Sequence, residues 1–158
     1  MTDSIANWTK SHFTNEIVPT LNGKKVTLMG WLRDVRLHGN LAFLVLADRE
    51  GDAQVTVLKK NSPKAFSKLA EITRESAIAV KGTVKKTDKT QRGVEVILDD
   101  ILLLNKSKTP LPLEVNEKVP AELDTRLDAR VLDLRKPRIS AIFKIRAQVL
   151  QSAREYLT

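Results

Sequence analysis

Phe43 and Gln54 are the side chains of this sequence best placed to act on a partner, and the partner they suit is an unpaired base. Both lie in GWLRDVRLHGNLAFLVLADREGDAQVTV, from Gly30 to Val57, which reads as a strand, a turn, a second strand, a tight turn and a third strand. On that reading they share one exposed face of the sheet. An aromatic ring offers a stacking platform, an amide beside it can read a base edge, and nearby cations can take the phosphates. A half-buried Phe and a solvated Gln on an ordinary antiparallel sheet would leave the same pattern.

Charge points the same way. Lys and Arg number 27 against 19 Asp and Glu, a formal net charge of +8, which favours a polyanionic partner. Lys24, Lys25, Arg33, Arg36, Arg49, Lys59 and Lys60 cluster around the Gly30–Val57 block, and Lys85, Lys86, Lys89 and Arg92 around a later turn. A solvated basic surface explains each cluster alone equally well. The absence of cysteine excludes disulfides and thiolate metal sites, and His12 and His38 are too far apart in sequence to suggest zinc, so no metal ligands are assigned. No apolar run approaches the roughly 18 residues of a bilayer span. The start MTDSIANWTK lacks the basic and apolar regions of a secretory signal, so a cytoplasmic protein with no membrane partner is expected.

The elements that must position Phe43 and Gln54 follow from period and punctuation. Val26, Leu28, Gly30 and Leu32 alternate with Thr27, Met29, Trp31 and Arg33, the period of a strand. His38-Gly39-Asn40 and Arg49–Asp52 supply turns. In the third strand Ala53, Val55 and Val57 form the more apolar set and should face the core, leaving Gln54 outward. Ser62-Pro63 resembles a helix N-cap with Pro at the first position, opening a helix to about Thr73. Strands over 76–85 and 93–104 complete the unit. Three strands, a helix and two strands is the element order of an OB-fold, a mainly β, five-stranded Greek-key barrel whose second and third strands bind oligonucleotides.

After Leu104 the composition changes. Ser107–Pro112 reads as a linker, and VPAELDTRLDARVLDLRKP as a salt-bridge-laced helix with Leu123, Leu127, Val131 and Leu134 on one side. Ile139, Ile142, Phe143, Val149, Leu150, Ala153 and Leu157 form the stripe of a C-terminal amphipathic helix. The expected organisation is a barrel domain over 1–106, a linker or hinge over 107–136, and the first helix of a further domain over 137–158.

Taken together, GWLRDVR, LAFLVLADREGDAQV, TPLPLE, DTRLDARVLDLRKP and AIFKIRAQVLQSAREYL resemble the N-terminal part of the aspartyl-tRNA synthetases of the archaeal and eukaryotic kind. The first two blocks are shared more loosely with the asparagine and lysine enzymes, and DTRLDARVLDLR is more particular to the aspartate enzyme. The resemblance implies that Phe43 stacks on the anticodon, that Gln54 recognises its central uridine, and that Arg36 contacts anticodon-loop nucleotides. It extends to Arg33 and His38 on the anticodon face and to phosphate contacts by Lys59, Lys60, Lys85 and Lys86. Two departures stand out. Ala47-Asp48 replaces a common Arg-Asp, and Leu37-His38-Gly39 replaces an Asp-Leu-Gly turn bordering the anticodon pocket, which bears on the third anticodon base.

The resemblance further implies a full-length parent that is a homodimeric, ATP- and Mg-dependent aspartate–tRNA ligase, acting either on the aspartate acceptor tRNA alone or on the asparagine acceptor as well. The last helix resembles the start of the first class II motif, and the sequence stops short of the ATP- and aspartate-binding motifs. The 158-residue chain is therefore expected to hold no cofactor and to be inactive alone. Asp48 with Glu50, or Asp99 with Asp100, could be paired on paper as catalytic carboxylates, but acids at strand ends and turns are ordinarily solvated, and no catalytic residue is assigned. The alternatives are a free-standing OB-fold protein binding single-stranded nucleic acid, and a basic barrel docking a protein. Neither has evident use for the TPLPLE and DTRLDARVLDLR segments.

Overall fold

Apolar side chains at every second position build the barrel. In β1 (Lys25–His38) Val26, Leu28 and Leu32 are buried, while Thr27, Met29, Trp31 and Arg33 between them are half-buried. β2 (Leu41–Asp48) buries Ala42, Leu44 and Leu46, and β3 (Gly51–Leu58) buries Ala53, Val55 and Val57, the set expected to face inward. β4 (Ala77–Lys86) and β5 (Val94–Asn105) add Ile78, Val80, Val84, Val96, Leu98 and Ile101 to the same core. Each such side chain contributes about 1.5–3 kcal/mol when fully withdrawn from water, so this core dominates the stability of the unit. The computed structural model describes residues 3–5, 7–117 and 119–158, which divide into two units, Met1–Thr109 and Pro110–Thr158.

The five strands close in the order β1-β2-β3-β5-β4. All neighbours are antiparallel except β3 and β5, which run parallel through Val55 beside Val96 and Thr56 beside Ile97. β1 serves two partners: its first half pairs with β4 and its second half with β2, with a bulge between Leu32 and Asp34 where it bends. Two glycines let the backbones crowd at such bends. A Cβ on Gly30 would collide with the Ala47 carbonyl oxygen, and one on Gly82, opposite the β5 bulge at Asp99, with the Ile97 carbonyl oxygen.

α1 (Pro63–Lys68) lies between β3 and β4 and ends in a single 3-10 turn at Leu69–Glu71, shorter than the helix expected to Thr73. Pro63 opens it, but Ser62 does not cap it. The Ser62 hydroxyl donates instead to the carbonyls of Leu98 and Asp99, at 2.9 and 3.0 Å, so a buried Ser satisfies strand carbonyls rather than helix N–H groups.

In the second unit the continuous helix expected through DTRLDARVLDLRKP is two short ones, α2 (Leu123–Asp128) and α3 (Arg130–Asp133), broken at Ala129. The ion pairs explain the break. Asp133, fully buried, accepts Arg126 Nε at 3.0 Å and Arg130 Nη1 at 2.6 Å. Residues seven apart stand about 10 Å apart along a continuous helix, so Arg126 reaches Asp133 only because the axis turns. α4 (Pro137–Leu157) follows, with Ile142, Phe143, Val149, Leu150 and Leu157 of its apolar stripe exposed.

Candidate functional site

The β2–β3 register decides whether Phe43 and Gln54 can work together. Phe43 pairs with Thr56 and Val45 with Gln54, which makes Phe43 and Gln54 diagonal neighbours on one face, within reach of a single planar ligand. Both are half-buried and both line a cleft of about 640 Å³ on the outside of the barrel. The Gln54 amide forms no hydrogen bond with any described residue, so its donor and acceptor are available to a ligand. Arg36 pairs with Phe43 across β1–β2 and joins the lining. Its guanidinium rests 3.0 Å from Asp34, an exposed ion pair whose small net energy makes it exchangeable for a phosphate.

The opposite wall comes from far along the chain, because the parallel β3–β5 pairing swings the β4–β5 loop over β3. It brings Lys89, Gln91 and Arg92, followed by Glu95 on β5. Glu95 accepts the Thr56 hydroxyl at 2.5 Å, which accounts for the burial of Thr56 on a face where sequence alternation places it outward. The Glu95 carboxylate keeps a second oxygen uncommitted among the described residues, an acceptor suited to a base amino group. The sequence showed Lys89 and Arg92 as a basic cluster, but nothing local connects them or Glu95 to Gln54. Only the strand order does.

The remaining candidates lie around this cleft rather than in it. Arg33 is the extra residue of the β1 bulge, half-buried, with its carbonyl accepting Arg74 Nε at 3.1 Å. His38 is exposed at the tip of the β1–β2 hairpin, and the Lys59 N–H donates to the Asn40 carbonyl at 3.0 Å, so Lys59 and Lys60 stand at that same end. Lys85 and Lys86 are exposed at the end of β4, opposite Glu95 and Val94 of the cleft wall. Cations thus flank the cleft at the hairpin tip and along β4.

Within the barrel domain expected over 1–106, the N-terminal segment makes contacts that its own sequence does not announce. Asp3 accepts the Leu103 N–H and the Lys68 ammonium, which in that order hold its carboxyl below the usual range. Ser11 bonds the backbone of Thr27. Further on, Asp48 at the end of β2 collects Lys10 Nζ at 2.8 Å, the Thr14 hydroxyl at 2.7 Å, and the N–H groups of Thr14 and Glu50. Burial pushes the Asp48 carboxyl up, but these donors outweigh it and hold the group below the ordinary carboxylate value. The Phe13 ring sits between Lys10 and Arg49, with cation-to-centroid distances of 3.8 and 4.6 Å. Among the described residues no group of three or more His, Cys, Asp or Glu could hold a metal ion, and no helix is long and apolar enough to cross a membrane.

A closed Greek-key barrel that gathers a ring, an amide and a carboxylate into one cation-flanked cleft has the anatomy of an oligonucleotide-binding domain. Residues 26–104 match the tRNA anticodon family described as OB-fold nucleic acid binding domain, and the chain belongs to that family. It is 54% identical over 147 residues to the aspartate–tRNA(Asp/Asn) ligase of Archaeoglobus fulgidus, a match covering 92% of this chain and 34% of the relative. The chain therefore spans about a third of the length of such relatives. Among solved structures it resembles asparaginyl-tRNA synthetase from Pyrococcus horikoshii complexed with asparaginyl-adenylate, with TM-score 0.85, 32% identity and coverage of 94% of this chain and 34% of that one. The barrel alone resembles an OBody bound to hen egg-white lysozyme, with TM-score 0.59, 32% identity and coverage of 64% of this chain and 100% of that one.

Proposed function

We propose that this chain reads a tRNA anticodon loop as the recognition portion of an aspartate–tRNA ligase. The observation that supports this most is the diagonal placement of Phe43 and the unbonded Gln54 amide in one cleft, with Glu95 on the facing wall. Phe43 is the stacking platform and Gln54 reads the edge of the central uridine. Arg36, Arg33 and His38 hold neighbouring nucleotides, and Lys59, Lys60, Lys85 and Lys86 take phosphates. On the same reading the parent enzyme is a cytoplasmic homodimer that charges the aspartate acceptor tRNA, with the asparagine acceptor as a second substrate. ATP and magnesium chemistry belongs to the length of such an enzyme that this chain does not match.

The test is binding of anticodon stem-loops that differ only at the central base. Phe43→Ala should cost roughly 1–3 kcal/mol against every loop, because every base has a π-face. Gln54→Ala should cost affinity against a central uridine and little when that base is changed. Equal weakening of all loops by Gln54→Ala, with no effect of Phe43→Ala, would instead fit a basic barrel that binds nucleic acid without reading it.

A further inference from the structure

Arg92 does something on the cleft wall that its charge alone does not require. Its Nη1 donates to the carbonyls of Thr14 and Asp52 at 2.9 and 2.6 Å, and its Nη2 donates to the carbonyl of Asn15 at 2.9 Å. One planar guanidinium on the β4–β5 loop thereby joins the N-terminal segment to the first residues of β3, two strand positions before Gln54. A rigid fork of donors suits such a bridge, and a lysine ammonium, a single point, does not reproduce it. The bridged segment is pinned a second time, independently, through Asp48 to Thr14. The β4–β5 loop carries Lys89 and Gln91 and leads into Glu95, so the bridge fixes the distance between the two walls of the cleft.

We infer that Arg92 is a positioning residue for base discrimination: by clamping the Thr14, Asn15 and Asp52 carbonyls it sets the spacing between Gln54 and Glu95, and the N-terminal segment is thereby a structural part of the reading site. This rests on the anticodon-reading function proposed above. The competing role for an arginine here is a phosphate contact, and the two roles have different signatures. A lost phosphate contact weakens all loops alike and lowers the salt slope by about 0.7 per phosphate. A lost spacer lets the walls drift, which erodes discrimination and leaves the slope unchanged.

The experiment measures Kd for stem-loops with uridine or cytidine at the centre, at several salt concentrations, with the full chain. Wild type, Arg92→Ala, Arg92→Lys and Asp48→Asn are compared, with thermal unfolding in parallel. Arg92→Ala should reduce the uridine-to-cytidine affinity ratio by about threefold to tenfold with an unchanged salt slope. Arg92→Lys should fall with it, and Asp48→Asn, which releases the same segment from its other anchor, should lower the ratio in a folded protein with the Arg92 charge intact. Uniform weakening with a reduced slope overturns the inference, as does full discrimination by Arg92→Lys. A wild type that does not discriminate overturns the anticodon reading as well, whereas a discriminating wild type with an unaffected ratio in the Arg92 variants overturns only the role given to Arg92.

Discussion

Asp48 in the barrel unit and Asp133 in the second unit are both carboxylates withdrawn from solvent, and they are held by opposite means. Asp48 is satisfied mainly by neutral donors, two backbone N–H groups and the Thr14 hydroxyl, with one lysine. Asp133 faces three cations, Arg126, Arg130 and, at 3.9 Å, Lys136. The surroundings differ as well. Asp48 fastens Lys10 and Thr14 of the N-terminal segment to a barrel that also holds that segment through Ile17 in its apolar core. Asp133 organises two short helices whose apolar residues are largely in water: Leu123 is 62% exposed, Leu127 56% and Val131 78%. Where packing defines the structure, an ionic group is an accessory. Where packing is scarce, it becomes the organiser.

The comparison breaks most visibly in the barrel. Gly82→Ala places a methyl against the Ile97 carbonyl, which belongs to backbone and cannot swing aside. Destabilisation of about 3 kcal/mol is expected, lowering the barrel's melting temperature by at least about 10 °C. A calorimetric scan checks it. No comparable loss should follow from Asp48→Asn, which removes an attachment and leaves the core intact.

A smaller effect of opposite location is expected from Asp133→Asn. Arg126 and Arg130 are partly exposed and screened, so the loss should be smaller than that of Gly82→Ala. It should appear as faster amide hydrogen exchange across 123–136, with barrel amides unchanged. If instead the barrel exchanges faster and 123–136 does not, Asp133 is not the organiser of its unit.

The smallest effect is acid sensitivity. The Asp133 carboxyl is held below 3.8 chiefly by its hydrogen bond from Arg126, against the opposing effect of burial, and Asp48 is also lowered. For a carboxyl lowered on folding, the stability it contributes is present above the unfolded value and is lost as pH falls through the folded one. Stability should therefore be flat above about pH 5 and decline below about pH 4. Asp48→Asn should reduce that decline in the barrel, and Asp133→Asn in the second unit, each read from pH-dependent exchange of its own amides.

Much of the barrel was legible in the sequence because its information is local. Val26, Leu28 and Leu32 advertise a strand by their spacing, and Ala53, Val55 and Val57 declare which face turns inward, which is why the outward placement of Gln54 could be read directly. Interactions that join distant segments left no such trace. Nothing near Arg92 predicts that it meets Thr14, nothing near Ser62 predicts the carbonyl of Leu98, and the burial of Thr56 depends on Glu95 arriving from another strand. In the second unit the apolar spacing of Leu123, Leu127 and Val131 suggested one helix, but those residues are exposed, and the side chain that sets the break is the buried Asp133.

The parallel register between Val55 and Val96 also dictates an order of events. Its two strands are roughly forty residues apart and the β1–β4 partners further still, so both closures are expected to follow the local β1–β2 and β2–β3 hairpins. Synthesis proceeds from the N-terminus, so Phe43 and Gln54 emerge well before Glu95. Until β5 docks, β3 is an open edge, able to pair with whatever strand it meets. Docking of β5 is therefore expected both to cover the β3 edge and to bring Glu95 to the cleft.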